Sequence, residues 1–282
     1  MDKIAIVGLG LIGGSIGLKL KGLGTGGKVL GIPRREETLK KALELGAIDE
    51  GSLDISKVAE ADLVFICTPI NLILPKLAEI IPHLRKGAIV TDVGSTKGEI
   101  VSKAEKSMPK GTYFVGGHPM AGKEVVGIEA AEANLFEGKT WILTQTSKTN
   151  KAALEKVEEV VGGLGAKVVR IDPKTHDLVV GAVSHLPLAA AVALVNVAAE
   201  AGEKELVGQC AASGFRDSTR IASGDPVLGR DMFMTNRVAL LKHLKALRTR
   251  LLELEKDIKK QDSGKIEAFL RQAKDFRDKL YI

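Results

Sequence analysis

The chain has 282 residues, 45% of them hydrophobic and 27% charged, which is typical of a soluble globular protein with one large or two ordinary domains. Its net charge is +6 at pH 7, but charges of both signs alternate in the basic C-terminal region and aromatic residues are nearly absent there, which favours a solvated helix face over a nucleic-acid site. No apolar segment reaches the ~20 residues of a membrane span, and no signal peptide is visible, so we expect a cytoplasmic protein without a membrane contact. The cysteines lack metal-ligand spacing, so we expect no metal. We also expect no nucleic-acid partner.

Short apolar runs alternate with helical patterns in the first half of the chain. The runs are "KIAIVGLG" (3–10), "KVLGI" (28–32), "ADLVFICTP" (61–69), "AIVTDVGS" (88–95), "YFVGGHP" (113–119) and "TWILTQT" (140–146). Their continuous hydrophobicity indicates strands buried on both faces of a parallel sheet. We therefore predict a Rossmann-type, doubly wound α/β domain with a mostly parallel sheet over residues 1–172, closed by the helix and strand of "ALEKVEEVVGGLGAKVVRID".

After Pro173 the pattern changes to long helical periods, which predict an all-α domain over residues 173–282. The segment "THDLVVGAVSHLPLAAAVALVNVAAEA" is apolar on nearly every side, so we expect a helix that is buried all round. The segments "RDMFMTNRVALLKHLKALRTRLLELEKDIKKQD" and "GKIEAFLRQAKDFRDKL" each predict one amphipathic helix. The very apolar helix favours a homodimer formed through this domain, and a monomeric bundle is the alternative.

The first strand leads into a glycine motif, with Gly8, Gly10 and Gly13 in G-x-G-x-x-G spacing directly before a helix. Gly8 permits a tight turn, Gly10 lets the backbone approach a pyrophosphate, and Gly13 lets the helix pack closely on the strand. In a chain of alternating strands and helices this motif predicts a dinucleotide site, to which Leu11 and Ile12 also belong.

The end of the second strand distinguishes NAD from NADP in this architecture. In "GIPRREE", Pro33 occupies the place of the acid that would bind a ribose 2′-hydroxyl, and Arg34 and Arg35 follow it. Arginine suits a 2′-phosphate because it forms charge-assisted hydrogen bonds, so we predict NADP. NAD is the alternative, because Glu36 or Glu37 would reach the ribose in a different loop register.

The carboxyl ends of the later strands meet at the same crevice, where ligands of such domains bind. They carry Thr68 and Pro69, then Asp92 and Ser95, and finally His118 in "GGHPMAG". We expect Thr68 and Pro69 to contact the cofactor. A lone histidine in an apolar setting is usually a core residue, but His118 is expected to lie beside a serine and the cofactor.

The other histidines are assigned differently. His83 and His243 lie in charged helical settings and are most simply surface residues, whereas His176 lies near a helix start, where a capping or hinge role is the simpler account. His185 lies two residues before Pro187 in an apolar setting and is either a core residue or part of the site.

The motifs "VGLGLIGGS", "TDVGSTKG", "GGHPMAG", "VSHLP" and "GFRDSTRIA" give the chain a resemblance, nearly end to end, to the prephenate/arogenate dehydrogenase family of tyrosine biosynthesis. This resemblance implies a dinucleotide-binding domain, a helical dimerisation domain and oxidative decarboxylation of a small cyclohexadienol substrate. In this reaction hydride leaves ring carbon C4, the C4 hydroxyl loses a proton, and the ring carboxylate leaves as carbon dioxide. Imidazole is a suitable base for that hydroxyl.

The resemblance also implies roles for individual residues. His118 would act as the base, and Ser95 would share its hydrogen bond to the hydroxyl. His185 would contact the carboxylate region of the substrate, Arg220 would anchor a substrate carboxylate with its guanidinium group, and Arg216 would help hold the side-chain end. Without the resemblance, Arg216 is more simply paired with Asp217.

Two other functions fit the layout of the chain. One is another Rossmann-plus-helical dehydrogenase of the β-hydroxyacid type, but the catalytic lysine and asparagine of such enzymes do not stand out here, and "GGHPMAG" has no counterpart in them. The other is a non-catalytic dinucleotide sensor, which would be expected to lose Ser95, His118 and Arg220. The sequence leaves prephenate and arogenate undecided, because that choice depends on side-chain placement near Arg216 and Glu124.

Overall fold

The computed structural model describes residues 1–24, 27–123, 125 and 127–281. Glu124, one of the two residues near which substrate discrimination was expected, lies outside this set. The chain divides into two compact units, Met1–Asn236 and Arg237–Ile282.

The first unit contains a six-stranded parallel sheet with the strand order β3-β2-β1-β4-β5-β6. Its strands are β1 (Lys3–Val7), β2 (Lys28–Ile32), β3 (Glu50–Gly51), β4 (Leu63–Ile66), β5 (Ile89–Asp92) and β6 (Tyr113–Val115). The strand order reverses between β1 and β4, and ligands bind at such a reversal, outside the carboxyl ends of the strands. The predicted doubly wound α/β fold is confirmed.

Helices cover both faces of this sheet. They are α1 (Leu11–Gly22), α2 (Glu36–Glu44), α3 (Ile70–Ile80), α4 (Gly98–Ser107) and α5 (Lys151–Gly163). The neighbouring residues Phe65 and Ile66 point to opposite faces of β4, and both are fully buried in separate apolar clusters. Burial on both faces is the physical reason why the strands of a parallel sheet are continuously apolar.

A second, three-stranded sheet follows, formed by β7 (Gly117–Pro119), β8 (Thr140–Thr144) and β9 (Lys167–Ile171) in that order. The prediction of one strand over residues 113–119 is therefore wrong, because the chain changes sheets after Val115. Glycine is needed at this crossing, since a Cβ atom on Gly116 would lie 2.4 Å from Oγ1 of Thr144 and one on Gly117 would lie 2.6 Å from the carbonyl oxygen of Asp92. β7 and β8 are antiparallel, so the chain reverses direction between Pro119 and Thr140.

One continuous helical segment follows β9. It consists of α6 (Pro173–Val180), a wider π-helical turn (Gly181–His185) and α7 (Leu186–Ala199). Pro187 has no N–H group to donate to the carbonyl group of Val183, and this missing hydrogen bond accounts for the wide turn. The expectation that no apolar segment reaches the length of a membrane span is wrong for this continuous helix. By length and composition alone, Pro173–Ala199 is apolar enough to cross a membrane, and it is the one such helix in the described part of the chain.

The prediction that this apolar helix is buried all round is wrong for the single chain. Within α7 only Ala191 is buried, whereas Leu194 is 51% exposed and Val197 is 67% exposed. The polar face that a solvated amphipathic helix would need is missing from this sequence. The exposed apolar surface therefore belongs to the chain as a monomer.

The remaining helices are α8 (Lys204–Cys210), α9 (Ser213–Thr219), α10 (Pro226–Thr235), α11 (Arg237–Lys259) and α12 (Ser263–Leu280). The prediction of one helix running from Arg230 to Asp262 is wrong, because Asn236 leaves the helical conformation at φ −109° and ψ 28°. Its buried side chain instead hydrogen-bonds inside the first unit. In the second unit, α11 and α12 contact each other across a short turn.

Candidate active site

The glycine loop lies at the carboxyl end of β1. Gly8 has φ +97°, and a Cβ atom there would lie 2.7 Å from the carbonyl oxygen of Cys67. A Cβ atom on Gly13 would lie 2.1 Å from the carbonyl oxygen of Gly8, so this glycine is required for the packing of α1 on β1. A Cβ atom on Gly10 would meet no atom within 4 Å, which leaves room for a ligand beside its backbone.

The N-terminus of α1 has the properties of an anion site. Gly10 is its N-cap and provides no side-chain hydrogen bond, and the first turn, which contains Leu11 and Ile12, has no acidic residue. The first N–H groups of the helix are therefore available to a pyrophosphate, which the helix dipole also favours. Thr68, at the end of β4, has a buried hydroxyl oxygen without a hydrogen-bond partner in the described residues, and exposed Pro69 follows it as the N-cap of α3.

The loop after β2 carries two cationic side chains. Arg34 and Arg35 are exposed, and within the described residues neither forms an ion pair. Glu36 pairs with Lys40 at 3.2 Å, one turn along α2. Pro33 is buried at the place where an acid would contact a ribose hydroxyl. This strand end therefore presents two exposed cationic side chains and has no carboxylate at position 33.

His118 lies in the middle of β7, paired with Ile142 of β8. It is buried, with 7% of its surface exposed. Its Nδ1 atom is 2.8 Å from Nε2 of His176 on α6. Its other ring nitrogen, Nε2, has no hydrogen-bond partner among the residues that the structure describes.

His176 is held in turn by the next residue along α6. Its Nδ1 atom lies 2.8 Å from Oδ1 of Asp177. The same carboxylate accepts hydrogen bonds from the backbone N–H groups of Lys97 at 2.7 Å and Gly98 at 2.8 Å, at the N-terminus of α4. The capping role considered for His176 belongs to Asp172, whose side chain accepts from the N–H groups at the start of α6.

A buried ion pair lies beside His118. The side chains of Lys97 and Asp92 are both fully buried, and their Nζ and Oδ2 atoms are in direct contact. Lys97 also donates to the carbonyl oxygen of Gly117 at 2.8 Å, and Asp92 accepts from the N–H group of Gly117 at 3.2 Å. The pair therefore fixes the backbone that carries His118.

The surroundings of His118 keep its imidazole neutral. Burial is the largest cause that lowers its pKa well below the usual value, and electrostatic interactions with His176, Lys97 and His185 act in the same direction. A neutral imidazole has one free lone pair and is able to accept a proton.

His185 closes the wide turn between α6 and α7 and is fully buried. Its Nδ1 atom lies 3.1 Å from the Nδ2 amide nitrogen of Asn236, which also donates to the carbonyl oxygen of Asp177 at 2.8 Å. Since Nδ1 accepts, Nε2 carries the proton, and this buried atom has no partner within the described residues. Burial lowers the pKa of His185 to about 4, so the ring is a neutral donor at pH 7.

The other predicted substrate-site residues, Ser95, Arg216 and Arg220, lie in a loop and at the surface. Ser95 is half-buried in the loop after β5 and forms no hydrogen bond with His118 among the described residues. Arg216 is exposed on α9 and pairs with Asp217 at 3.4 Å, and exposed Arg220 begins the 3-10 turn Arg220–Ser223. His118 and His185 are therefore brought into one cluster, whereas the two arginines lie at the surface.

Sequence reasoning missed four residues of this cluster: Lys97, His176, Asp177 and Asn236. His176 and Asp177 carried one usable signal, since a histidine and a carboxylate are adjacent in "THDL", at a predicted helix start. Lys97 looked like an ordinary loop lysine in "GSTKG", and Asn236 looked like a residue within a longer helix.

Cys67 is not part of the chemistry of this site. Burial raises the pKa of its thiol well above the usual value, and the nearby Asp92 carboxylate adds to that effect. Because the thiolate is the reactive form of cysteine, this thiol is inert.

Two family models match the chain in succession. The model for "Prephenate dehydrogenase, nucleotide-binding domain" matches residues 16–170, and the model for "Prephenate dehydrogenase, dimerization domain" matches residues 172–272. A prephenate dehydrogenase from Bacillus subtilis (strain 168) is 38% identical over 282 residues, which cover 99% of this chain and 76% of the relative.

Solved structures give the same result. Arogenate dehydrogenase from Synechocystis is 40% identical, with a TM-score of 0.87 over 99% of both chains. Prephenate dehydrogenase from A. aeolicus, solved with hydroxyphenyl propionate and NAD+, is 37% identical, with a TM-score of 0.93 over 99% of this chain and 98% of that one. The chain therefore belongs to the prephenate/arogenate dehydrogenase family.

Proposed function

We propose that this enzyme carries out the oxidative decarboxylation of prephenate or arogenate with His118 as the base. A bound nicotinamide dinucleotide supplies the acceptor for the hydride that leaves ring carbon C4. His118 takes the proton of the C4 hydroxyl, and loss of the ring carboxylate as carbon dioxide makes the ring aromatic. The product is 4-hydroxyphenylpyruvate from prephenate and tyrosine from arogenate.

The proposed role of His118 as the base rests on one observation. Its ring is held through Nδ1 by His176, while Nε2 has no partner within the described residues. A general base must offer a lone pair at a defined position. The lone pair of His118 lies just beyond the carboxyl end of β6, the last strand of the six-stranded sheet. Ser95, on the loop after β5, is proposed to share the hydrogen bond to the substrate hydroxyl.

The remaining residues are proposed to bind the anionic groups of the substrate. His185 presents a buried Nε2–H group that lacks a partner among the described residues, and a carboxylate would satisfy it. Arg220 is proposed to anchor a substrate carboxylate, and Arg216 is proposed to hold the side-chain end. Guanidinium groups suit this role because they bind carboxylates with two parallel hydrogen bonds.

The cofactor is proposed to be NADP in preference to NAD. The loop after β2 offers Arg34 and Arg35 to a 2′-phosphate, and buried Pro33 stands where an acid would bind the 2′-hydroxyl of NAD. The glycine loop, including Leu11 and Ile12, would hold the pyrophosphate, and Thr68 and Pro69 would contact the cofactor from the next strand end.

The assembly is proposed to be a cytoplasmic homodimer. The matched model for residues 172–272 is that of a dimerization domain, and α7 exposes Leu194 and Val197, which a second subunit would cover. Apolar surface of this kind marks an association site in soluble proteins. The division into a dinucleotide-binding domain over residues 1–172 and a substrate and dimerisation domain over residues 173–282 belongs to the same proposal.

The test is an initial-rate assay with both substrates and both cofactors, with product formation followed by absorbance of the reduced dinucleotide. We expect turnover with prephenate or arogenate and a higher kcat/KM with NADP than with NAD. The absence of turnover with either substrate would contradict the reaction, whereas a preference for NAD would contradict only the cofactor assignment.

A further inference from the structure

Three side chains form a chain of hydrogen bonds that ends at the proposed base. Asp177 contacts His176, and His176 contacts His118, with both distances 2.8 Å. His118 and His176 are buried, and Asp177 is largely so. The two histidines lie 58 positions apart, so the packing of α6 against the β7 strand creates this chain.

The carboxylate end of the chain has a fixed role as an acceptor. Oδ1 of Asp177 faces the backbone N–H of Lys97, and Oδ2 faces that of Gly98. Backbone N–H groups only donate, so the carboxylate accepts from both. Its negative charge is also favoured by the N-terminus of α4. Asp177 is therefore an ionised acceptor towards His176 as well.

The acceptor role of Asp177 determines the positions of the protons in the hydrogen bonds that lead to His118. Because Asp177 accepts, the Nδ1 atom of His176 carries a proton and its Nε2 atom carries a lone pair. Nε2 of His176 must then accept, so Nδ1 of His118 carries a proton. The lone pair of His118 is left on Nε2, the ring atom that has no partner within the described residues.

We propose that His176 and Asp177 are positioning residues that hold His118 in the tautomer with a free lone pair on Nε2. This inference rests on the proposed function, since it assumes that His118 acts as the base. In the reaction the O–H bond of the substrate breaks and its proton bonds to Nε2 of His118, while the Nδ1–H group keeps its hydrogen bond to His176.

His176 and Asp177 also stabilise the positive charge that His118 gains in this step. Protonated His118 is a cation close to the ammonium group of Lys97, which disfavours it, and Lys97 is itself paired with Asp92. Asp177 is the anion that faces the new charge through His176. Carboxylates behind catalytic histidines act in this way, by orienting the ring and stabilising the imidazolium ion.

The first test is Asp177→Asn, with Asp172→Asn as the matched control on the same helix. The amide has no negative charge and cannot accept from all three donors, so we expect kcat to fall by about 100-fold with the KM for the dinucleotide nearly unchanged. The side chain of Asp172 caps α6 by accepting from the N–H groups of Lys174 and Thr175. Asparagine is an equally good cap, so the control should keep its turnover.

A double-mutant cycle separates a positioning role from a general structural one. In a His118→Asn background, Asp177→Asn should lower the remaining rate by less than about 3-fold, because there is no longer a base to position. An equal loss in both backgrounds would overturn the inference. Full turnover of His118→Asn itself would instead overturn the proposed function.

A measurement on the unaltered enzyme decides the inference even if Asp177→Asn fails to fold. In protein labelled with ¹⁵N-histidine, the ring signals of His118 are identified by their absence from the His118→Asn spectrum. We expect a protonated Nδ1 and an unprotonated Nε2 at pH 7.5. A protonated Nε2 atom would overturn the inference whatever the kinetic results.

Discussion

The imidazole rings of His118 and His176 are joined by a 2.8 Å hydrogen bond between Nδ1 of the first and Nε2 of the second. This contact links β7, which belongs to the matched nucleotide-binding model, to α6, which belongs to the matched dimerization model. The proposed base therefore depends on residues from both matched regions. We therefore expect changes in the packing of α6 to alter the position of the proposed base.

The cofactor loop gives the first prediction. Replacing Arg34 and Arg35 together by serine should raise the KM for NADP by at least about 10-fold, because the 2′-phosphate loses its charged partners, and should change the KM for NAD little. Lys41→Ser is the matched control, since Lys41 is a half-exposed cation on α2 that pairs with Glu44. Equal effects on the two cofactors would contradict the assigned role.

The exposed face of α7 gives the second prediction. Val197→Asp should convert the proposed homodimer into a monomer, because the charge would be buried at an apolar interface. Light scattering after size-exclusion chromatography measures the mass directly. Leu43→Asp, on the exposed surface of α2, should leave the mass unchanged. An unaltered dimer in the Val197 variant would show that α7 is not at the interface.

The buried ion pair gives the third prediction. Lys97→Met should lower the free energy of unfolding by about 3–5 kcal/mol, because Asp92 becomes an unpaired buried charge. Chemical denaturation measures this loss. Lys103→Met removes an exposed pair with Glu99 on α4 and should cost less than about 1 kcal/mol. Comparable small losses in both variants would contradict the importance of the buried pair.

The buried His185 gives a prediction about pH. Its pKa in the folded protein is lowered to about 4, chiefly by burial, whereas the unfolded chain takes up this proton near pH 6.5. Between these values the unfolded state binds more protons, so the free energy of unfolding decreases as the pH falls through this window. The lowered pKa of His118 acts in the same direction.

We expect His185 alone to contribute about 3 kcal/mol to this decrease, measured by denaturation at a series of pH values. His185→Asn should flatten the dependence between pH 6.5 and pH 4, while His83→Asn should keep the slope of the unaltered protein. An identical slope in the His185 variant would show that its titration is not coupled to folding.

The sequence predicts those features that depend on neighbours along the chain. Gly8, Gly10 and Gly13 were assigned from spacing alone, because a strand, a tight turn and a helix start are all local. The fold class and the family are confirmed. The roles of His118, Ser95, His185, Arg216 and Arg220 stay predictions, and the family resemblance suggested them, since spacing indicated only polar side chains near the cofactor.

Features that depend on distant neighbours were not predicted. The change of sheet after Val115 is not visible in a continuous apolar run. The close contacts that require glycine at positions 116 and 117 come from Thr144 and from the carbonyl group of Asp92. At the helix break, the amide of Asn236 hydrogen-bonds with His185, which is 51 positions away in the sequence. The link between His176 and His118 likewise exists only once α6 has packed against the strands.

The proposed role of His118 as the base is tested most directly by measuring the turnover of His118→Asn with saturating substrate and dinucleotide. Asparagine keeps a polar group at this position but cannot accept the hydroxyl proton, so kcat should fall by about 100-fold or more while dinucleotide affinity is unchanged. His83 precedes β5, at the opposite edge of the sheet, and His83→Asn should retain full turnover. Near-normal turnover of the His118 variant would contradict the account.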